Sequence, residues 1–267
     1  SGTMARLALS ILLIRIVLSE QSVGAVGFMQ NLGLNNDQLH TLYLWVLIGC
    51  VAGIAVSALL IRPQHTAQHL MFAVLLIATG AFMDAHSNNL TRPAQMYVSQ
   101  FLLAFGSTFF IGPAMISGIG AILAQPGNLI SFVVLFGMTQ NMGGLLGSAL
   151  LGTFQVVREK FHASQLAEHV TLLDPQVAAR VQGTVAGYAH SIGDPALRNA
   201  QGMRALGATV TREANVLAYN DVFLVVAWLA IFTLLWIYAD LWWRRLNPPA
   251  PAAPPAAPLP SPRPTQA

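Results

Sequence analysis

The chain has 267 residues, of which 55% are apolar and only 9% charged, and its mean hydropathy is +0.59. That is too little charge for the surface of a water-soluble domain and indicates an integral membrane protein. The formal charge of +3 is too small and too scattered to argue for a nucleic-acid partner, and the single Cys50 excludes a disulfide framework.

Six apolar runs reach, or nearly reach, the ~20 residues that a hydrocarbon core requires. They cover roughly 5–32, 41–61, 69–84, 96–124, 128–156 and 219–243. The expected architecture is therefore all-α. Residues 1–156 hold five transmembrane helices, 157–218 form an outer amphipathic helical loop, 219–246 hold the last span, and 247–267 are a disordered Pro/Ala-rich tail. The first run is long enough to span and is followed by no small-residue cleavage site, so it does not read as a signal peptide. The chain opens Ser1-Gly2-Thr3 directly before that run, which reads as a fragment or a processed product. An even number of spans puts both termini on one side. Arg6, Arg62, Arg244 and Arg245 on that side, against Arg92 opposite, make it cytoplasmic.

The first span carries Arg15 and Glu20 among apolar neighbours. A charge near the bilayer centre costs about 2.5–3.5 kcal/mol on insertion scales, so such residues are candidates for a pathway or a partner. Five positions apart on an ideal helix, their side chains point apart and face different helices or a wet cavity. One reading is a proton- or cation-handling carboxylate beside an anion-seeking guanidinium; the other is a buried ion pair, or an arginine that reaches the headgroups. In the second span Gly49, Gly53 and Ser57 recur every four residues, a face that lets helices approach closely. Arg62-Pro63 ends that span. His65 and His69 are four apart but lack a third ligand, so no metal site is expected. Asp84 closes the third span and reads as an interface marker, and Asn89-Leu90-Thr91 as a polar loop.

The fourth span contains Gly112-Pro113, a candidate hinge or a static kink. Gln125-Pro126-Gly127-Asn128 reads as a tight turn. In the fifth span Gln140 and Asn141 lie at mid-depth, either as substrate contacts or as interhelical hydrogen bonds, and Gly143 and Gly147 repeat the close-packing interval. In the outer segment Asp174-Pro175 and Asp194-Pro195 each look like an N-cap with proline at the first helical position. Val177, Val181, Val185 and Tyr188 follow at helical spacing, and Gly193 reads as a glycine cap. The last span ends in Trp236, Tyr238, Trp242 and Trp243 before Arg244-Arg245, as a headgroup boundary favours.

Phe28-Met29-Gln30-Asn31-Leu32-Gly33 at the outer end of the first span resembles a motif of the fourteen-spanner drug:proton antiporters of the major facilitator superfamily. So does Arg212-Glu213-Ala214 through Leu217-Ala218-Tyr219-Asn220-Asp221-Val222-Phe223 at the start of the last. The resemblance covers the chain to about Asn247 and only the C-terminal six-helix half of such a permease. It implies proton-coupled efflux of amphiphilic toxic compounds by alternating access, in a bacterial inner membrane, with a site near the midplane between two halves. The implied partners are the N-terminal half, an amphiphilic small molecule, protons, the lipid bilayer, and a periplasmic adaptor with its outer-membrane channel. Glu20 would take up and release the proton, with Arg15, Gln21, Gln30, Gln140 and Asn141 as polar contacts. The chain departs from the family at Arg62-Pro63, where the gating pattern's glycine and acid are missing.

Two other classes compete. Ser117-Gly118 is similar to the nucleophile of a membrane serine hydrolase, but Met115 stands where glycine is usual, and His162, His169 and His190 all lie in the outer loop. Without a base in reach the serine is not activated, so no enzyme and no cofactor is expected. A non-transporting assembly or scaffold subunit would use the small-residue faces and the outer loop for docking.

Overall fold

The computed structural model describes the backbone of residues 2–60, 62–124 and 129–246. Side chains are described there except at 2–7, 63, 117, 120–124, 129, 131–132 and 244–245. The turn expected at Gln125–Asn128 and the tail at 247–267 lie outside the described residues, as do the side chains of Arg6, Ser117, Arg244 and Arg245. No strand occurs among the described residues. The long helices are α1 (Gly2–Leu18), α3 (His40–Leu60), α4 (Thr66–Asp84), α5 (Tyr97–Ala124), α6 (Leu129–His169) and α8 (Pro195–Leu246). Two short ones complete the set, α2 (Gly27–Asn31) and α7 (Pro175–Gly187). Among the described residues, six stretches are long and apolar enough to cross a membrane: Ala8–Asn31, Asn36–Leu60, Thr66–Asp84, Pro93–Ile116, Val133–His169 and Pro195–Trp243.

The first of these stretches is not one uniform helix. Between α1 and α2 the chain takes wider, π-type turns over Glu20–Val26, a rare geometry that recurs at functional sites. Its C-terminal end closes on Gly33, whose φ of 90° makes it the one described residue in the left-handed region. Leu34 N–H donates to Met29 and Gly33 N–H to Gln30, the paired bonds of a glycine-terminated helix end. Gly193 does not play that part for α7. The helix gives way after Gly187 to a tight turn at Tyr188–His190, and the amides of Ser191 and Ile192 both donate to the Tyr188 carbonyl.

Helix α3 packs on α5, α5 on α4, α4 on α8, α8 on α6 and α6 on α1, and α1 closes the arrangement against α5 and α8. Apolar burial cannot drive helices together when lipid is itself apolar, so close approach has to come from small residues. A Cβ on Gly49 would lie 2.8 Å from the Phe101 carbonyl oxygen, and one on Gly53 2.5 Å from that of Phe105. Ser57 continues the row by donating to the Phe109 carbonyl, and Thr108 donates back to that of Cys50. Gly143 and Gly147 seat α1 on α6 in the same way, against Arg15 Cβ and Ile16 Cα. Gly80 and Gly106 do so between α4 and α5. The outward face of α3 is correspondingly apolar, with Leu44, Leu47, Val51 and Ile54 exposed.

Helix α5 runs unbroken past Gly112-Pro113. Helices α6 and α8 run on past the bounds expected from sequence, 128–156 and 219–243, so the expected outer segment is mostly their helical extensions plus α7. The expected N-caps are present: Asp174 accepts from Gln176 N–H and Asp194 from Ala196 N–H. Helix α7 lies on α8, with Val181 and Val185 over Gly202.

Candidate functional site

Glu20 is the first residue of the π-type turns, and its carboxylate meets α5. It is fully buried, 0% exposed. Gln100, one turn into α5, donates from Nε2 to Glu20 Oε1 and Oε2 at 3.3 and 3.4 Å. The same amide donates to Asp84 Oδ2 at 2.8 Å. Ser99 Oγ donates to Asp84 Oδ1 and also reaches the Met96 carbonyl. Gln21 Nε2 donates to the Gln100 carbonyl at 3.5 Å. Two carboxyl groups from different helices thus share one amide, and Asp84, Ser99 and Gln100 are each no more than 2% exposed.

Asp84, expected to mark the membrane interface, is instead half of this buried pair. The start of α5 covers it, and α8 meets the loop that follows. Asn220 Nδ2 donates to the Ser87 carbonyl, and Asn89 Nδ2 to Glu213 Oε1. No cation stands within 4.0 Å of either buried carboxylate among the described residues, whose ion pairs involve Arg158, Lys160, His162 and Arg212. The other wall is aromatic. A Cβ on Gly24 would lie 2.8 Å from the Phe223 ring and 3.2 Å from Glu20, and one on Gly27 2.8 Å from Tyr219 Oη. The two glycines therefore let Phe223 and Tyr219 of α8 pack directly on this helix. Phe28 meets Tyr219 and Phe223 edge-on, at centroid distances of 5.8 and 6.0 Å.

Arg15 faces the opposite way, as the five-residue interval predicts. Its Nε donates to the Gln140 carbonyl on α6 at 3.3 Å, and Ser19 Oγ donates to the Gly144 carbonyl at 3.3 Å. Arg15, Gln140 and Asn141 line one open groove of about 330 Å³ with Ser19, Ser22 and Ser148. Asn141 spends one amide hydrogen on Gly137 of its own helix. Gln30 belongs to neither group; it is exposed and donates to Asn36 Oδ1 in the following turn. His69 is four residues from His65 and its Nδ1 donates to that residue's carbonyl, and no group of three metal-ligating side chains occurs among the described residues.

Ser99 and Gln100 were not picked out from the sequence, and Asp221 entered only as one residue of a resembled motif. Ser99 and Gln100 carry a weak signal, two adjacent polar residues inside an apolar span. Asp221 binds both Arg158 Nε and His162 Nε2 at 2.6 Å, tying α8 to α6 where the two helices leave the spans. Arg158 also lies over the Phe161 ring at 4.7 Å. Comparison with protein-family models, with curated proteins and with solved structures returns no match.

Proposed function

We propose that this chain is the C-terminal half of a proton-coupled exporter of the major facilitator type, and that Glu20 with Asp84 carries the proton. The observation that supports this most directly is the shared amide. Two bare carboxylates held on one Gln100 side chain, with no described cation beside them, repel strongly in a water-poor interior. One proton between them relieves the repulsion and leaves Gln100 a donor to both. A stable fold gains nothing from such a pair, since a purely structural site is served as well by apolar side chains. Ionisable groups at membrane depth belong by default to ion pathways and proton relays.

In the cycle proposed, the pair is protonated while the cavity faces one side and loses the proton after it has turned to the other. The N-terminal half supplies the opposite wall of the cavity, and an amphiphilic small molecule is the cargo. Both termini lie in the cytoplasm of a bacterial cell, and α7 with the outer ends of α6 and α8 offers a surface to a periplasmic adaptor and its outer-membrane channel. The test joins the chain to the six-span half it is proposed to complete, in vesicles with a trapped pH dye. Substrate-dependent proton flux is expected, with loss in Glu20→Gln and reduction in Asp84→Asn. Unchanged flux in Glu20→Gln removes the pair from the mechanism. A scaffold subunit would instead hold a stable partner through these outer helices and show no flux in either form.

A further inference from the structure

Arg15 lies nine residues beyond Arg6 along α1, or about 13 Å at ~1.5 Å per residue. The α6 backbone fixes it from one side, through the Gln140 carbonyl at Nε. That engages one of the five N–H donors of a guanidinium. Among the described residues no carboxylate lies within 4.0 Å of it. The groove that Arg15 lines is polar for its depth: Ser19, Ser22, Asn141 and Ser148 surround it, with no acid in its wall. Asn141 keeps its second amide hydrogen, while Leu18 and Leu145 form an apolar border. A cation held in such a place is costly unless an anion joins it. The planar fork of a guanidinium matches carboxylate, sulfonate and phosphate groups bidentately.

We propose that this groove binds the negative headgroup of an amphiphilic organic anion, with Arg15 as its counter-charge and Leu18 and Leu145 against its apolar body. The inference rests on the transport reading only in calling that anion the substrate. It makes organic anions the cargo class, and lipophilic cations poor ligands.

The test uses the full chain in nanodiscs of phosphatidylcholine and a matched pair of probes, dansylate and its uncharged analogue dansylamide. Equilibrium dialysis against empty nanodiscs reads specific binding. Dansylate is expected to bind at least about 10-fold more tightly than dansylamide, the margin of a charge-assisted bidentate contact. Arg15→Gln should erase that margin and leave dansylamide unchanged, and Arg15→Lys should keep part of it. Asn141→Asp sets a like charge at the exposed rim with little risk to folding, and should weaken dansylate alone. Equal binding of the two probes, or equal losses for both in Arg15→Gln and Asn141→Asp, overturns the proposal. Competition by phosphatidylglycerol in the disc would assign the groove to a lipid headgroup and overturn the substrate assignment. Because the assay reads binding, dansylate held without any proton flux would sink the transport reading and leave the anion site standing.

Discussion

Replacing Gln100 by leucine keeps the side-chain volume and removes the one donor group that joins Glu20 to Asp84. Glu20 then loses both of its described hydrogen bonds, while Asp84 keeps Ser99. A buried polar group left unsatisfied costs about 1–3 kcal/mol, and more when it is charged. Glu20 is completely buried and ends with no described donor, so the expected loss is about 1–3 kcal/mol, the cost of a buried polar group left unsatisfied. The leading part of that loss should vanish when the orphan is removed as well. Glu20→Leu alone leaves Gln100 with an unmet N–H, and the double variant leaves neither group stranded. The double should therefore be less destabilised than the sum of the singles by about 1–3 kcal/mol. Reversible unfolding in mixed micelles, followed by helical circular dichroism as the denaturing detergent fraction rises, measures all four corners of the cycle. Additivity within about 0.5 kcal/mol would mean that the amide does not bridge the two acids.

Two further substitutions test the packing. Gly53→Ala drives a Cβ against the Phe105 carbonyl and Thr108, and should cost about 1–3 kcal/mol in the same unfolding assay, the range for overpacking. Gly137→Ala meets nothing within 4 Å and should stabilise α6 by about 0.5–1 kcal/mol, so equal effects at the two sites would refute the close-packing account. At the outer junction Asp221→Asn weakens the links to Arg158 and His162. With 25% of Asp221 and 31% of Arg158 exposed, solvent screening limits the loss to about 1 kcal/mol or less, seen as faster amide exchange where α6 and α8 leave the spans.

The six spans were legible because length and hydropathy alone define them. So were the small-residue faces, since an interval of four is a property of the helix and needs no partner to be seen. Arg15 and Glu20 were legible as an anomaly of depth, and their divergence followed from their spacing. Asp84 was not legible, for a definite reason. It stands at the end of an apolar run, followed by His86-Ser87-Asn88, and a one-dimensional reading of depth places it at the water boundary. Its burial comes from α5 returning beside the end of α4, which brings Ser99 and Gln100 onto it from 15 and 16 residues away, while Asn220, 133 residues from Ser87, bonds the loop that follows. Glu20 therefore read as a solitary acid when it has a companion. Asp221 was hidden likewise, because its partners matter only if α6 and α8 run on side by side beyond the spans.

The segment from Arg15 to Glu20 looks in two directions at once, and that bears on how the two proposals join. Arg15 and Ser19 hold α1 to carbonyls on α6, while Glu20 holds the next turn to Gln100 on α5. The groove and the carboxylates lie on one helix, so a ligand that shifts α1 at Arg15 would reach Glu20 over no more than about one and a half turns. The π-type turns that start at Glu20 are the part of this helix best able to absorb such a shift, since a change in their register alters where Glu20 points without unwinding the helix. Gly24 and Gly27 leave Phe223 and Tyr219 of α8 in contact with those turns, with no side chain of their own to jam the movement. If the groove binds an anion and the pair holds a proton, each ligand must then change the other's affinity by the same factor. A chain in which dansylate binding and proton release proved independent would have two sites on one helix and no exchange between them.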